Sequence, residues 1–222
     1  KTRELWDEVG RLGYLGVSIP EEYGGGGHGI VELAIVAEEL AAAGCPLLFI
    51  VVSPAICGSV IGRSGTAEQK ERWLPALASG TTKMAFAITE PDAGSNSHRL
   101  STVARRDGDD WILNGTKIWT SHGHYADWMY LLARTDLEAP KHRGISWLIL
   151  DMTSPGIDVR PLQTIDNDDH FCEVYLDQVR VPVANLVGAE NDGWRVTNVT
   201  LRFERGTAFA SHTIEMRETL NA

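Results

Sequence analysis

Cysteine is scarce in this chain of 222 residues: Cys45, Cys57 and Cys172 are widely spaced, odd in number and outside any C-x-x-C pattern. That excludes a disulfide framework and a zinc site, fits a reducing compartment, and leaves all three as expected buried small side chains. Positive charge is also short. The chain has 20 Lys and Arg against 30 Asp and Glu, a formal charge of -10, which argues against a nucleic-acid or anionic-membrane surface but leaves room for a local basic pocket. Long apolar runs are missing as well: the longest, Pro46 to Cys57, is well short of the roughly 20 residues of a membrane span. The first residues, KTRELWDEVG, contain no signal-peptide core. What remains is the expectation of a soluble globular enzyme of the cytoplasm, or of the mitochondrial matrix in a eukaryote, with a hydrophobic fraction of 43% to pack one or two domains.

The pattern along the chain changes twice. Residues 28–43 place Ile30, Leu33, Ala34, Ala37 and Leu40 at helical spacing, ended by Gly44 and Pro46. Thr66 and Gln69 form a capping box before a second helix that Pro75 should break or kink and Gly80 should stop. Gly24 to Gly27 read as a loop; with no strand before them they make no phosphate cradle. After Gly80 the period shortens to two, with candidate strands at 83–89, 99–106, 110–114, 116–120, 127–134, 144–151, 157–162 and 172–179. Asn114-Gly115 between two apolar strand halves predicts a type I′ hairpin. So many short strands predict a small barrel or sandwich. Gly193-Trp194 opens a further helix that reaches Ala222 without a cap, which implies a helical layer whose remainder lies elsewhere. The pattern alone predicts an α+β, multidomain chain, helical over 1–80, β over 81–190 and helical again over 191–222.

The stretch AITEPDAGSN at 87–96 begins as a strand and passes at once into a cluster of turn residues, hydroxyls and backbone donors. Its hydroxyls could simply close local turns. Taken with IPEEYGGGG (19–27), GTAEQKERWLPALASG (65–80), WILNGTKIWTS (111–121) and LRFERG (201–206), it resembles the acyl-coenzyme A dehydrogenase family of flavoenzymes, across essentially the whole chain. The resemblance implies FAD as cofactor and an α+β multidomain fold: a helical N-terminal domain over 1–80, a β-barrel middle domain over 81–190 and the truncated start of a C-terminal helical bundle over 191–222. It implies that Thr89 and the backbone of Ile88 meet the flavin pyrimidine, that the Gly94-Ser95 turn approaches the pyrophosphate, that Trp119 lies against a ring face, that Ser121 meets N5, and that Thr120 is a further cofactor-binding residue. Phe86 stands where the family often has an aromatic, with packing as its competing role. Ser95 and Arg205 carry over as substrate contacts. Asp92 takes no role, and Glu90-Pro91 is expected to shape the turn. The flavin lends this pattern its logic, because reduction puts negative charge on the ring and small donors stabilise it without bulk.

Removing the α-proton of an acyl thioester needs a general base. Most of the family carries that glutamate far toward the C-terminus. A minority carries it on the first long helix after the β-domain, just before an Arg, where this chain has Phe203-Glu204-Arg205. Glu204 is the candidate base, with an ordinary surface glutamate as the alternative. His122 and His124 could gate the site or lie solvated in a polar turn, and no further ligand spacing points to a metal. The implied reaction gives a trans-2-enoyl-CoA, with electrons passed to an electron-transfer flavoprotein. Two competing readings are a related flavin oxidase or monooxygenase, and a non-catalytic partner subunit of a hetero-oligomer. A homodimer, a homotetramer and a mixed-subunit oligomer all fit. Because the family buries the adenosine half of the cofactor against the C-terminal bundle, these 222 residues alone are expected to hold flavin weakly.

Overall fold

The structure, a computed structural model, describes residues 2–44, 48–165, 167–207 and 216. It divides into two compact units, one of Lys1–Lys83 with Asn198–Ala222 and one of Met84–Thr197. Among the described residues, no helix is long and apolar enough to cross a membrane.

The first unit is helical. Helix α1 (Thr2–Arg11) buries Trp6, whose indole N–H donates to the Gly80 carbonyl at 2.8 Å. Helix α2 (Ile30–Ala42) turns Leu33, Ala37 and Ala41 inward, and its Glu32 carboxylate accepts from the Gly29 N–H at its start. A short turn α3 (Leu48–Ile50) runs into a π-helical stretch over Val51–Cys57 and on into α4 (Gly58–Ser64). Pro54 lies inside that stretch. Proline removes a backbone donor and crowds the carbonyl of the preceding turn, and the wider π turn is one way a helix absorbs it. Helix α5 (Ala67–Ser79) opens on the expected box, Thr66 Oγ1 accepting from Gln69 N at 3.2 Å and Gln69 Oε1 from Thr66 N at 3.1 Å. Pro75 does not break it: the helix continues through the proline to Ser79 and stops at Gly80.

The second unit holds the eight-stranded sheet: β1 (Met84–Ala87), β2 (Val103–Asp107), β3 (Asp110–Ser121), β4 (Trp128–Arg134), β5 (Ile145–Asp151), β6 (Ile157–Leu162), β7 (Phe171–Pro182) and β8 (Leu186–Val187). The order is β6-β7-β3-β2-β4-β5-β8, with β1 parallel to β4. This corrects the predicted barrel, since the path ends at β6 on one side and β8 on the other and the sheet is open. Strands β4 and β5 are almost wholly buried, as their unbroken apolar runs require. One face packs Leu113, Met129, Leu131, Leu148, Leu150 and Val174 into a core. On the other, Trp147 donates to Gly193 O at 3.1 Å and Thr197 Oγ1 at 3.0 Å, at the start of α6 (Gly193–Thr207).

The hairpin expected at Asn114-Gly115 is not there. Strand β3 runs straight through, and the real β2–β3 turn is at Asp107–Asp110, with Gly108 at φ 61°. Gly115 serves close packing instead, since a Cβ there would stand 2.5 Å from Thr102 Oγ1. Asn114 turns its side chain to β7, where Oδ1 accepts from Gln178 N at 3.0 Å and Nε2 at 2.9 Å and steadies a bulge residue at φ 53°.

Candidate active site

The turn after β1 is fastened at both ends. Glu90 and Ala93 exchange two backbone hydrogen bonds of 3.1 Å each around Pro91 and Asp92, and the chain then presents Gly94, Ser95 and Asn96 to solvent. Ile118 N donates to Thr89 O at 3.0 Å, so the residues leaving β1 lie alongside the middle of β3. Beneath that seam sits an ion pair, Lys117 Nζ to Glu90 Oε1 at 2.8 Å, with both side chains essentially sealed from water. Lys117 also donates to Ile88 O at 3.3 Å. Glu90 further accepts from Ser101 N, from Ser101 Oγ at 2.8 Å and from Thr102 N at 3.0 Å. Burial pushes the Glu90 carboxyl up, but the Lys117 charge and these donors outweigh it and bring it down to about 2. Burial also lowers Lys117 from the usual lysine range, with Glu90 opposing. The Glu90 carboxyl is therefore ionised at neutral pH.

Past Lys117 the β3–β7 ladder slips. Lys117 faces Val174 and Thr120 faces Cys172, so β3 carries one more residue than β7 over this stretch. Trp119 takes up the slip at φ 59°, a left-handed backbone that suits glycine far better than an indole, and its ring is 54% exposed with its edge on Phe171 at 5.9 Å. Strain at a non-glycine bulge residue points to a use for the side chain. Thr120 is buried and its Oγ1 has no hydrogen-bond partner among the described residues, while Ser121 is half-buried opposite Phe171.

The next turn, Gly123–Tyr125, is made of rings. His122, at φ 52°, donates its backbone N–H to His170 O at 2.7 Å, and its ring meets that of His170 edge-on at 5.3 Å. His124 Nδ1 lies 2.9 Å from Cys172 Sγ, its Nε2 is buried without a partner among the described residues, and its ring packs 3.9 Å from Tyr125. Burial first, then the nearby imidazoles of His170 and His124, lower His122 to about 4 against the pull of Asp168 and Asp169. Burial also raises the Cys172 thiol. His122 and Cys172 are therefore neutral at physiological pH. Among the described residues, no group of His, Cys, Asp and Glu could hold a metal ion.

The structure thus sets Ile88 and Thr89 alongside Lys117 and Ile118, directly before Trp119, Thr120 and Ser121, while Gly94 and Ser95 follow in the exposed turn after Ala93. Thr89 and Ile88 are half-buried, and a Cβ on Gly94 would meet nothing within 4 Å, so a ligand could come close to that backbone. Phe86 is placed in an aromatic stack, 5.5 Å from Trp147, which itself stacks on Tyr130 at 4.1 Å. Glu204 and Arg205 lie in α6, but their side chains fall outside the described residues. Sequence reasoning passed over the Glu90–Lys117 pair and the His124–Cys172 contact. The first had a signal: Lys117 shares the inward parity of Trp111 and Leu113, and a lysine facing a core requires a carboxylate. The second had none, because nothing local sets His124 against a residue on β7.

Comparison with known proteins gives a consistent result. The family "Acyl-CoA dehydrogenase, N-terminal domain" matches residues 1–81, and "Acyl-CoA dehydrogenase, middle domain" matches residues 85–179. Acyl-CoA dehydrogenase FadE12 of Mycobacterium tuberculosis (strain ATCC 25618 / H37Rv) is 48% identical over 191 residues, covering 86% of this chain and 49% of the relative. The solved Tcur3481-Tcur3483 steroid ACAD superposes with a TM-score of 0.90 at 38% identity, over 98% of this chain and 56% of that one. The ChsE4-ChsE5 complex from Mycobacterium tuberculosis superposes with a TM-score of 0.81 at 40% identity, over 91% of this chain and 52% of that one. The chain spans about half the length of the curated relatives it matches.

Proposed function

Because the chain belongs to the acyl-CoA dehydrogenase family, we propose that the whole protein is an FAD-dependent dehydrogenase that takes an acyl-CoA thioester to the trans-2-enoyl-CoA and passes the electrons to an electron-transfer flavoprotein. The observation that carries this reading is one edge of the sheet unit. It combines half-buried hydroxyls at Thr89 and Ser121, an open glycine turn at Gly94, and a solvent-facing indole at Trp119 on a left-handed backbone. Such an edge fits a flat, donor-hungry cofactor with a pyrophosphate tail.

In this reading Ile88, Thr89, Thr120 and Ser121 hold the pyrimidine and N5 side of the ring, Trp119 covers one face, and Gly94 with Ser95 approaches the pyrophosphate. Phe86 supports them from its aromatic stack. When bound, FAD supplies the two-electron acceptor for the hydride that leaves the β-carbon. The chain supplies fixed donors, which stabilise developing negative charge without reorganising during the reaction. Glu204 takes the α-proton as general base, and Arg205 and Ser95 contact the substrate. The segment from about residue 191 onward begins a C-terminal helical domain.

The test is anaerobic addition of a panel of acyl-CoA thioesters to the full-length protein and to Glu204→Gln. Loss of visible flavin absorbance in the wild type alone supports the dehydrogenase with Glu204 as base. Equal loss in both moves the base elsewhere, and rapid reoxidation by air alone would make the protein an oxidase.

A second reading follows from the likeness to the Tcur3481-Tcur3483 steroid ACAD and the ChsE4-ChsE5 complex. Here the chain is one subunit of a mixed assembly on a steroid-type thioester, completing a cofactor site in its neighbour. No absorbance change with any thioester until a second subunit is co-expressed would favour it over a homodimer or homotetramer.

A further inference from the structure

Glu90 and Lys117 take no part in the chemistry proposed above, yet they form a buried ion pair at the centre of that edge. Burying two charges is expensive, and an apolar pair of similar size often serves stability as well or better. The contacts show what the charges do. Lys117 Nζ bridges Glu90 and the Ile88 carbonyl, and Glu90 gathers the backbone N–H groups of both Ser101 and Thr102. The strand leaving β1 and the segment before β2 are thereby tied to one atom group on β3. Immediately beyond this tie, Ile118 N meets Thr89 O, and the next residue is the left-handed Trp119.

We propose that the Glu90–Lys117 pair is the positioning device of this edge, fixing Ile88 and Thr89 against β3 so that Trp119 is held in its left-handed bulge and faces the ligand. Neither residue touches the ligand; both act through Thr89 and Trp119. The inference rests on the flavin reading only for the identity of that ligand. Its mechanical part, the order of the Thr89–Ile118 seam, belongs to the protein without cofactor.

The test uses the full-length protein as wild type, Glu90→Gln, Lys117→Met and the double variant Glu90→Gln/Lys117→Met. In the double variant no charge is left unpaired, and the single amide oxygen keeps only one of the two backbone donors that Glu90 holds on separate oxygens. Its melting temperature should recover most of the losses in the single variants. A purely structural pair would stop at that residual loss of stability. A positioning pair would not: FAD affinity by titration of apo-protein should stay weaker by about tenfold or more, and the Ile118 amide of apo-protein should exchange roughly tenfold faster, each about the worth of one hydrogen bond. Wild-type affinity and exchange in the double variant would overturn the proposal. A double variant that does not fold leaves the decision to apo wild type. There the Ile118 amide should exchange as slowly as the central β4–β5 amides, and exchange as fast as the exposed turn at 94–96 would overturn it. If the wild type takes up no FAD, the flavin reading fails while the Ile118 exchange still decides this one.

Discussion

Lys117 is sealed against a carboxylate whose oxygens are crowded with donors, whereas His124, further along the same run, holds one thiol contact and, among the described residues, leaves its other nitrogen buried without a partner. Trp119, Thr120 and Ser121 lie between these two fastenings. The first is an ion pair with several hydrogen bonds; the second is aromatic and only partly satisfied. A buried charge makes its tie costly to break from one side. Neutral ring contacts yield in small steps. The edge is therefore held rigidly where it meets β1 and more softly where it turns toward β4.

The largest effect should come from breaking the charged tie on one side. Lys117→Met alone leaves Glu90 buried without its counter-charge, and unfolding by denaturant should show a loss of about 3–5 kcal/mol. Cys172→Ser, at the soft tie, should cost about 1–2 kcal/mol, the range of a modest buried polar contact. Losses of equal size in the two variants would erase the contrast.

Acid sharpens the comparison. The folded Glu90 carboxyl lies at about 2, below its unfolded value, so its contribution is complete above the ordinary carboxylate range and disappears as pH falls toward about 2. His122 lies at about 4 in the fold, below its unfolded value, so the unfolded chain takes up its proton first. Stability should decline as pH drops from about 6.5 to about 4. His122→Asn should flatten that slope in a series of melts across this interval, because asparagine accepts the left-handed backbone and does not titrate. A slope unchanged in His122→Asn would show that other groups set it.

The smallest effect on folding should accompany a large one on binding. Trp119→Gly relieves a left-handed strain of about 1–3 kcal/mol and removes a ring that is already 54% exposed. Unfolding free energy should change by no more than about 1 kcal/mol, or rise, while FAD binding by apo-protein weakens. Loss of both together would make Trp119 a core residue.

Much of this was legible before any coordinates. Thr66, Gln69 and Gly80 mark the ends of α5 by local chemistry alone, and the β6 limits match the period-two pattern because that strand has one wet face. The errors share a cause. Asn114-Gly115 is a strong local turn signal, but β3 is paired with β7 on its other side, and that long-range ladder holds it straight while the true turn falls at Gly108. Pro75 carries a local penalty that the surrounding helix absorbs. Whether strands close into a barrel depends on which edges meet, and no residue encodes that alone. At the site, the hydroxyls and Trp119 stood out as residue types, but the pair beneath them did not, since Glu90 and Lys117 are joined only by the fold.

The most direct measurement is hydrogen exchange on the full-length protein with and without FAD. Added FAD should slow the amides of residues 88–89, 94–96 and 119–121 together. Protection that appears elsewhere while these three stretches exchange as before would contradict the placement of the cofactor on this edge.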